Sequence, residues 1–210
     1  MDDAPDDVTD VQARREVREV HEARQAPAPQ PVPAPAAAAA RGRPMPVFMF
    51  THVAHLIALG CGAGLSRVAP GTMGTLWAWL AWWALGLWLS SAALGWLLLA
   101  ALPVGWWASR VTARALGGGD PGCIVIDEIV AFWLVLWLLL PAGLWTQCVA
   151  FALFRLFDAW KPGPVGWADQ AFHGDGWRGA FGIMIDDLVA AALTLLVMAL
   201  WLRVWTWAER

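Results

Sequence analysis

The sequence predicts an all-α, membrane-embedded bundle built from helical hairpins, with polar loops gathered on one face. Three observations carry that prediction. Of the 210 residues, 59% are hydrophobic and only 15% are charged, whereas an ordinary soluble domain is about 45–50% apolar. After residue 43 only nine acids and eight bases remain, nearly all of them in three loops. The apolar runs also lack the period-2 alternation that marks strands.

The elements follow in order along the chain. Residues 1–43 hold eight acids and six arginines and include the Pro/Ala run "QAPAPQPVPAPAAAAARGRP". Too poor in large apolar groups to build a core, this stretch reads as a disordered tail. Residues 44–210 then form the membrane-embedded domain. Its first apolar run, 45–59, predicts a short helix stopped at Gly60, below the roughly 20 residues needed to span. The second, 75–107, has a soft break at Ser90-Ser91 and Gly95. The third, 129–154, has a sharper break at Pro141-Ala142-Gly143. A last helix covers 188–202, with Asp186 and Asp187 at its threshold.

Helix length decides between two arrangements of the third run. As one straight helix it would hold Glu128 and Arg155 about 40 Å apart, on opposite sides of a hydrocarbon core about 30 Å thick. A hairpin at Pro141–Gly143 brings them to one side. The turns near 88–95 and 141–147 contain no charged residue. The hairpin therefore gathers Arg67, Arg110, Arg114, Arg155, Lys161 and Arg178 on one face, which the positive-inside rule makes cytoplasmic. Arg203 and Arg210 fit a full last span less well, and helices that dip without crossing would remove that conflict.

Composition also excludes function classes. A net charge of −3 with no basic stripe argues against nucleic acid as a partner. Cys61, Cys123 and Cys148 are odd in number and scattered, so they suggest neither a disulfide framework nor a zinc site. The acidic, polar N-terminus is unlike a signal peptide.

Three polar segments interrupt the apolar background. "GCGAGLSRVAPGTMGT", residues 60–75, is a Gly-rich turn leading into a helix, where exposed N–H groups favour phosphate. Gly71 and Gly74 let the backbone approach a ligand, and Thr72 or Thr75 could cap. "DPGCIVIDE" places Asp127 and Glu128 side by side where an apolar run begins. Residues 154–187 set Arg155 and Asp158 on one helical face, let Pro162 end that helix at Lys161, and close with Asp186-Asp187.

Ionisable groups at such positions are expensive and usually functional. Hard oxygen ligands in this number suit Mg²⁺, which makes Asp127, Glu128, Asp158, Asp186 and Asp187 the candidate metal ligands. Structural ion pairs such as Asp127–Arg155 or Asp158–Lys161 are the simpler alternative. His173, in the Gly-rich loop, is a candidate general acid, whereas His52 and His55 read as packed interfacial residues.

Together these segments resemble the phosphatidylglycerophosphatase A family of integral-membrane lipid phosphatases. Gly64-Leu65-Ser66 with Pro70-Gly71-Thr72 and Gly74-Thr75 resembles its GLSP…PGTxGS signature. Residues 120–128 resemble DxGxIVxDE, 154–165 resemble FRxxDxxKPxPI, and 182–187 resemble the GIMxDD core of the last motif. Arg67 stands where the family has proline, and Thr75 where it has serine. The resemblance implies Mg²⁺-dependent hydrolysis of phosphatidylglycerophosphate at the bacterial inner membrane. For that chemistry the expected catalytic residues are Asp127, Glu128, Asp158 and Asp187, with His173, read from its loop, as the general acid. Ser66, Gly71, Thr72, Gly74, Thr75, Arg155 and Lys161 would bind the phospholipid substrate. Two other classes compete: a CDP-alcohol phosphatidyltransferase, whose DGxxAR…GxxxDxxxD pattern is absent, and a small transporter or ion-binding subunit.

Overall fold

A computed structural model describes residues 44–171 and 176–208; the tail predicted for residues 1–43 lies outside them. Among the described residues every regular element is helical and there is no strand. The predicted first helix is two helices, α1 (Pro46–Met49) and α2 (Val53–Ala58). The break falls at His52, whose backbone is extended and whose Nδ1 accepts from the Ala54 N–H at 3.0 Å. A side chain bonding its own backbone in this way competes with helix continuation and caps the next helix. A 3₁₀ stretch follows over Gly60–Leu65, with Cys61 and Gly62 at positive φ.

Helix α3 (Pro70–Gly86) begins five residues before the apolar run predicted it, entered through a left-handed Ala69. The break before α4 (Ser91–Leu116) falls where Ser90 caps the Ala93 N–H at 3.3 Å. Helix α4 runs nine residues beyond the predicted run and contains Pro103. It closes on a left-handed Gly117, with Gly118 N–H bonded to Ala113 O at 2.8 Å, a Schellman end.

The third run is a hairpin, as the charge placement predicts. Helix α5 (Ile126–Leu138) and helix α6 (Leu144–Trp160) are joined by a turn over 139–143. Arg155 Nη1 thereby comes to 3.9 Å from Glu128 Oε1, rather than a bilayer thickness away. Helix α6 ends on Lys161 in the left-handed region, whose N–H bonds Phe157 O at 2.9 Å, with Pro162 blocking further helix. A short α7 (Gly163–Ala171) follows.

The last helix departs from expectation. Helix α8 runs from Gly176 to Ala208, so Asp186 and Asp187 lie about a third of the way along it, not at its threshold. Each interior glycine costs about 1 kcal/mol of helix propensity. Buried Ala180, Ile183 and Met184 recur at helical spacing on one face, and packing that face overrides the glycine-rich composition.

Aromatic packing holds the helices in register. Phe132 of α5 lies 5.6 Å from Phe154 and 5.7 Å from Phe151 of α6, and Trp79 of α3 stacks 5.6 Å from Phe151. Trp133 donates to Ala78 O at 2.8 Å, which fixes α5 on α3. At the end remote from Glu128, Trp137 donates to Ser91 O at 2.9 Å.

Among the described residues two helices, Ser91–Leu116 and the Gly176–Val204 part of α8, are long and apolar enough to cross a membrane. Helices α3, α5 and α6 reach only about 20–25 Å at 1.5 Å per residue, less than the hydrocarbon thickness. Trp88 and Trp145, 87% and 83% exposed, stand at the uncharged turns.

Close backbone approach carries the segment ahead of α5. Val125 N–H bonds Ala58 O at 2.9 Å. A Cβ at Gly74 would meet the Val125 side chain at 2.7 Å, and one at Gly64 would run into the Cys123 carbonyl oxygen. Gly86 faces open space. Gly64→Ala is therefore expected to destabilise the fold by about 1–3 kcal/mol. Gly86→Ala should be neutral or stabilising by up to about 1 kcal/mol. Thermal unfolding in detergent checks both; equal melting temperatures would contradict the packing described.

Candidate active site

Four helices deliver the predicted polar residues to one place. The first turn of α5 carries Asp127 and Glu128, and α8 carries Asp187. Each offers a carboxylate oxygen, and the three oxygens lie within 4.8 Å of one another. Asp127 and Asp187 are buried and Glu128 is nearly so. Glu128 Oε2 and Asp187 Oδ2 are buried without a hydrogen-bond partner. Three converging carboxylates, two of them with an orphaned oxygen, form an all-oxygen donor set that suits a hard divalent cation.

Burial, with repulsion from Asp158 adding to it, raises Glu128 from its usual range to about 7, against opposing hydrogen bonding to Asp127 and the charge of Arg155. Asp127 is also pushed up, first by burial, then by Glu128 and Asp187. Both belong to a helix too short to cross a bilayer.

Cationic groups flank the cluster. Arg155 pairs with Asp158 one turn along α6, reaches Thr75 Oγ1 at 3.4 Å, and keeps its Nε buried without a partner. Lys161 donates to Asp186 Oδ2 at 2.7 Å, which ties the end of α6 to α8. Among the described residues the ion pairs at this site are Arg155–Asp158, Arg155–Glu128 and Lys161–Asp186, rather than Asp127–Arg155 and Asp158–Lys161. Through Arg155, which pairs with both, Asp158 is drawn beside Glu128.

The Gly-rich segment supplies the fourth side, through the start of α3. A Cβ on Gly71 would collide with Glu128 Oε1 and lie 3.1 Å from the Arg155 guanidinium, so the first turn of α3 rests directly on that pair. Thr75 does not cap the helix; its hydroxyl bonds Gly71 O at 2.9 Å and meets Arg155. Thr72 is half-buried on the same first turn. Gly74 packs on Val125 and Ser66 bonds within its own turn to Val68 O at 2.8 Å, so neither is seen to touch the carboxylates. His173 lies outside the described residues.

His55 is structural, as its sequence setting suggests: buried, stacked 4.2 Å from Phe48, with Nδ1 3.0 Å from Thr112 Oγ1. Sequence reasoning missed Ser109, whose buried hydroxyl on α4 has no partner. An isolated serine in an apolar helix carries no spacing signal that would reveal it.

The family model for Phosphatidylglycerophosphatase A matches residues 56–202. A Phosphatidylglycerophosphatase A of Escherichia coli (strain K12) is 38% identical over 141 residues, covering 67% of this chain and 78% of that protein. A Phosphatidylglycerophosphatase A of Haemophilus influenzae is 37% identical over 158 residues, 69% of this chain and 85% of that protein. A Putative phosphatidylinositol-3-phosphatase of Bacteroides thetaiotaomicron is 36% identical over 151 residues, 69% and 90% of the two chains. No solved structure matches.

The raised acid at Glu128 has a consequence for stability. Between the ordinary glutamate value, 4.5, and about 7 the folded chain holds a proton there that the unfolded chain has lost. Unfolding then releases protons, so stability falls as pH rises through that window. In EDTA the melting temperature should drop by several degrees from pH 5 to pH 8, and Glu128→Gln should flatten that slope. A slope unchanged by the substitution would contradict the assignment.

Proposed function

The chain belongs to the phosphatidylglycerophosphatase A family, and from that membership we propose that it hydrolyses phosphatidylglycerophosphate to phosphatidylglycerol and inorganic phosphate. The observation that carries this reading is the meeting of Asp127, Glu128 and Asp187 with Arg155 and the first turn of α3. Such a site presents cation-holding oxygens and phosphate-binding donors to one phosphoryl group.

The proposed cofactor is Mg²⁺, held by Asp127, Glu128 and Asp187, with Asp158 beside them and Asp186 bound to Lys161. When bound, Mg²⁺ supplies charge neutralisation at the phosphoryl oxygens and acidifies the attacking water. The protein's own groups orient the substrate. Arg155, with its unpartnered Nε, and the free N–H groups opening α3 receive phosphoryl oxygens. Glycine at position 71 lets the first turn of α3, with its N–H groups, come right up to Glu128 and Arg155. The new P–O bond comes from water, the ester bond to glycerol breaks, and the glycerol oxygen takes up a proton. Lys161, placed by the α6–α8 tie, offsets the negative charge that develops on the departing group.

In this reading residues 44–210 form the catalytic unit, residues 1–43 a tail outside it, and the protein sits in the bacterial inner membrane with its charged face toward the cytoplasm. Its product would feed phosphatidylglycerol and cardiolipin synthesis. The Bacteroides relative, named for phosphatidylinositol 3-phosphate, makes an inositol lipid the second substrate to compare.

Phosphate release by detergent-purified protein tests the proposal, with phosphatidylglycerophosphate, phosphatidylinositol 3-phosphate and phosphatidic acid offered in turn. Release from the first alone is the expected result; release from the inositol lipid alone would reassign the substrate. Asp127→Asn and Asp187→Asn should each lower kcat by roughly a hundredfold or more, the scale of losing one electrostatic contact to the transition state. Retention of near-normal turnover by both would remove the carboxylates from the chemistry.

A further inference from the structure

The helix that carries Asp127 and Glu128 also forms one wall of an apolar recess facing α4. The recess has a volume of about 460 Å³ and is lined by Gly95, Leu98, Leu99, Leu102, Leu134 and Trp137, among others. That volume falls within the roughly 300–1,000 Å³ range of small-ligand sites. Its shape is held from two sides. Trp137 is anchored through its indole N–H to Ser91 O at 2.9 Å. A Cβ at Gly95 would meet the Trp137 ring at 2.7 Å, so the indole lies directly on the α4 backbone. At the rim Leu99 is more than half exposed, which leaves the recess open sideways.

Position selects the occupant. Leu134 follows Asp127 by seven residues, two helical turns, and so lies on the same face of α5. From Glu128 to Leu134 and Trp137 the axial distance is about 9–14 Å. A phosphomonoester among the carboxylates would be separated from its acyl chains by a glycerol, a phosphodiester and a second glycerol, a span of the same order. A wall without a charged group suits an alkyl chain and offers nothing to a headgroup. A docking helix, about 10 Å across, is too wide for a recess between two packed helices.

We propose that the recess between α4 and α5 receives one acyl chain of the phospholipid substrate, so that chain and phosphate are gripped by opposite ends of α5. This rests on the lipid-phosphatase reading above and adds the part of the substrate that the polar site does not touch. It makes the enzyme a reader of chain as well as headgroup.

Photo-crosslinking tests it on full-length protein in nanodiscs, with phosphatidylglycerol carrying a diazirine midway along one acyl chain. Adducts should concentrate on residues 95–102 and 134–137. Leu102→Trp, which fills the recess, should lower their yield roughly tenfold, the scale on which an apolar pocket discriminates by size. Leu99→Trp at the exposed rim is the second variant if the first does not fold. Adducts spread evenly over the exposed apolar helix faces, or adducts at these residues insensitive to the filling substitution, would overturn the proposal. Crosslinking requires no turnover, so loss of the phosphatase reading through absent phosphate release remains a separate result.

Discussion

Three carboxylates cannot share a water-poor space as anions without positive charge nearby, and the rest of this structure is arranged around that constraint. Taking even one such ion out of water costs several kcal/mol after relaxation. Asp127, Glu128 and Asp187 converge to within 4.8 Å, and among the described residues only Glu128 of the three is paired with an arginine, at 3.9 Å. Arg155 is itself shared with Asp158, and Lys161 is committed to Asp186. Among the described residues the balance of charge therefore leaves the buried trio short of a cation.

Bringing the trio together requires the chain to reverse four times. Each reversal uses a local device: Ser90 as a cap, Gly117 and Lys161 in the left-handed region, and the 139–143 turn. Lys161 is not a glycine, and its left-handed backbone costs about 1–2 kcal/mol. The bond from its Nζ to Asp186 and the N–H bond to Phe157 O offset that cost. The same residue thus ends α6 and places a positive charge at the site, which ties local geometry to chemistry.

Much of this arrangement was legible in the sequence for physical reasons. Pro141 and Gly143 in an uncharged turn forced the hairpin, because the alternative stranded Glu128 from Arg155 across the apolar layer. Adjacent acids at the mouth of an apolar run marked Asp127 and Glu128. What escaped depended on packing partners distant in the chain. The start of α8 was hidden because glycine-rich "GWRGAFGIM" opposes helix by propensity, and packing against α4, α5, α6 and α7 overrides it. The division of the acids was hidden too: Asp186 and Asp187 are neighbours in sequence but point to Lys161 and to the trio respectively. Helical rotation of about 100° per residue separates them, and spacing alone does not say which faces inward. Gly64 and Gly74 looked like parts of a phosphate loop, yet their close contacts are with Cys123 and Val125, the strut that positions Asp127.

Direct cation binding tests the account most closely. Titrating the detergent-purified protein with Mn²⁺ as a spin probe for Mg²⁺, and following free Mn²⁺ by electron paramagnetic resonance, measures occupancy without any lipid or turnover. Saturable binding is expected that Mg²⁺ displaces and that Asp127→Asn or Asp187→Asn abolishes, while Asp120→Asn, on the exposed segment before α5, leaves it intact. Binding that survives both inner substitutions, or no saturable binding to the folded wild-type protein, would contradict it.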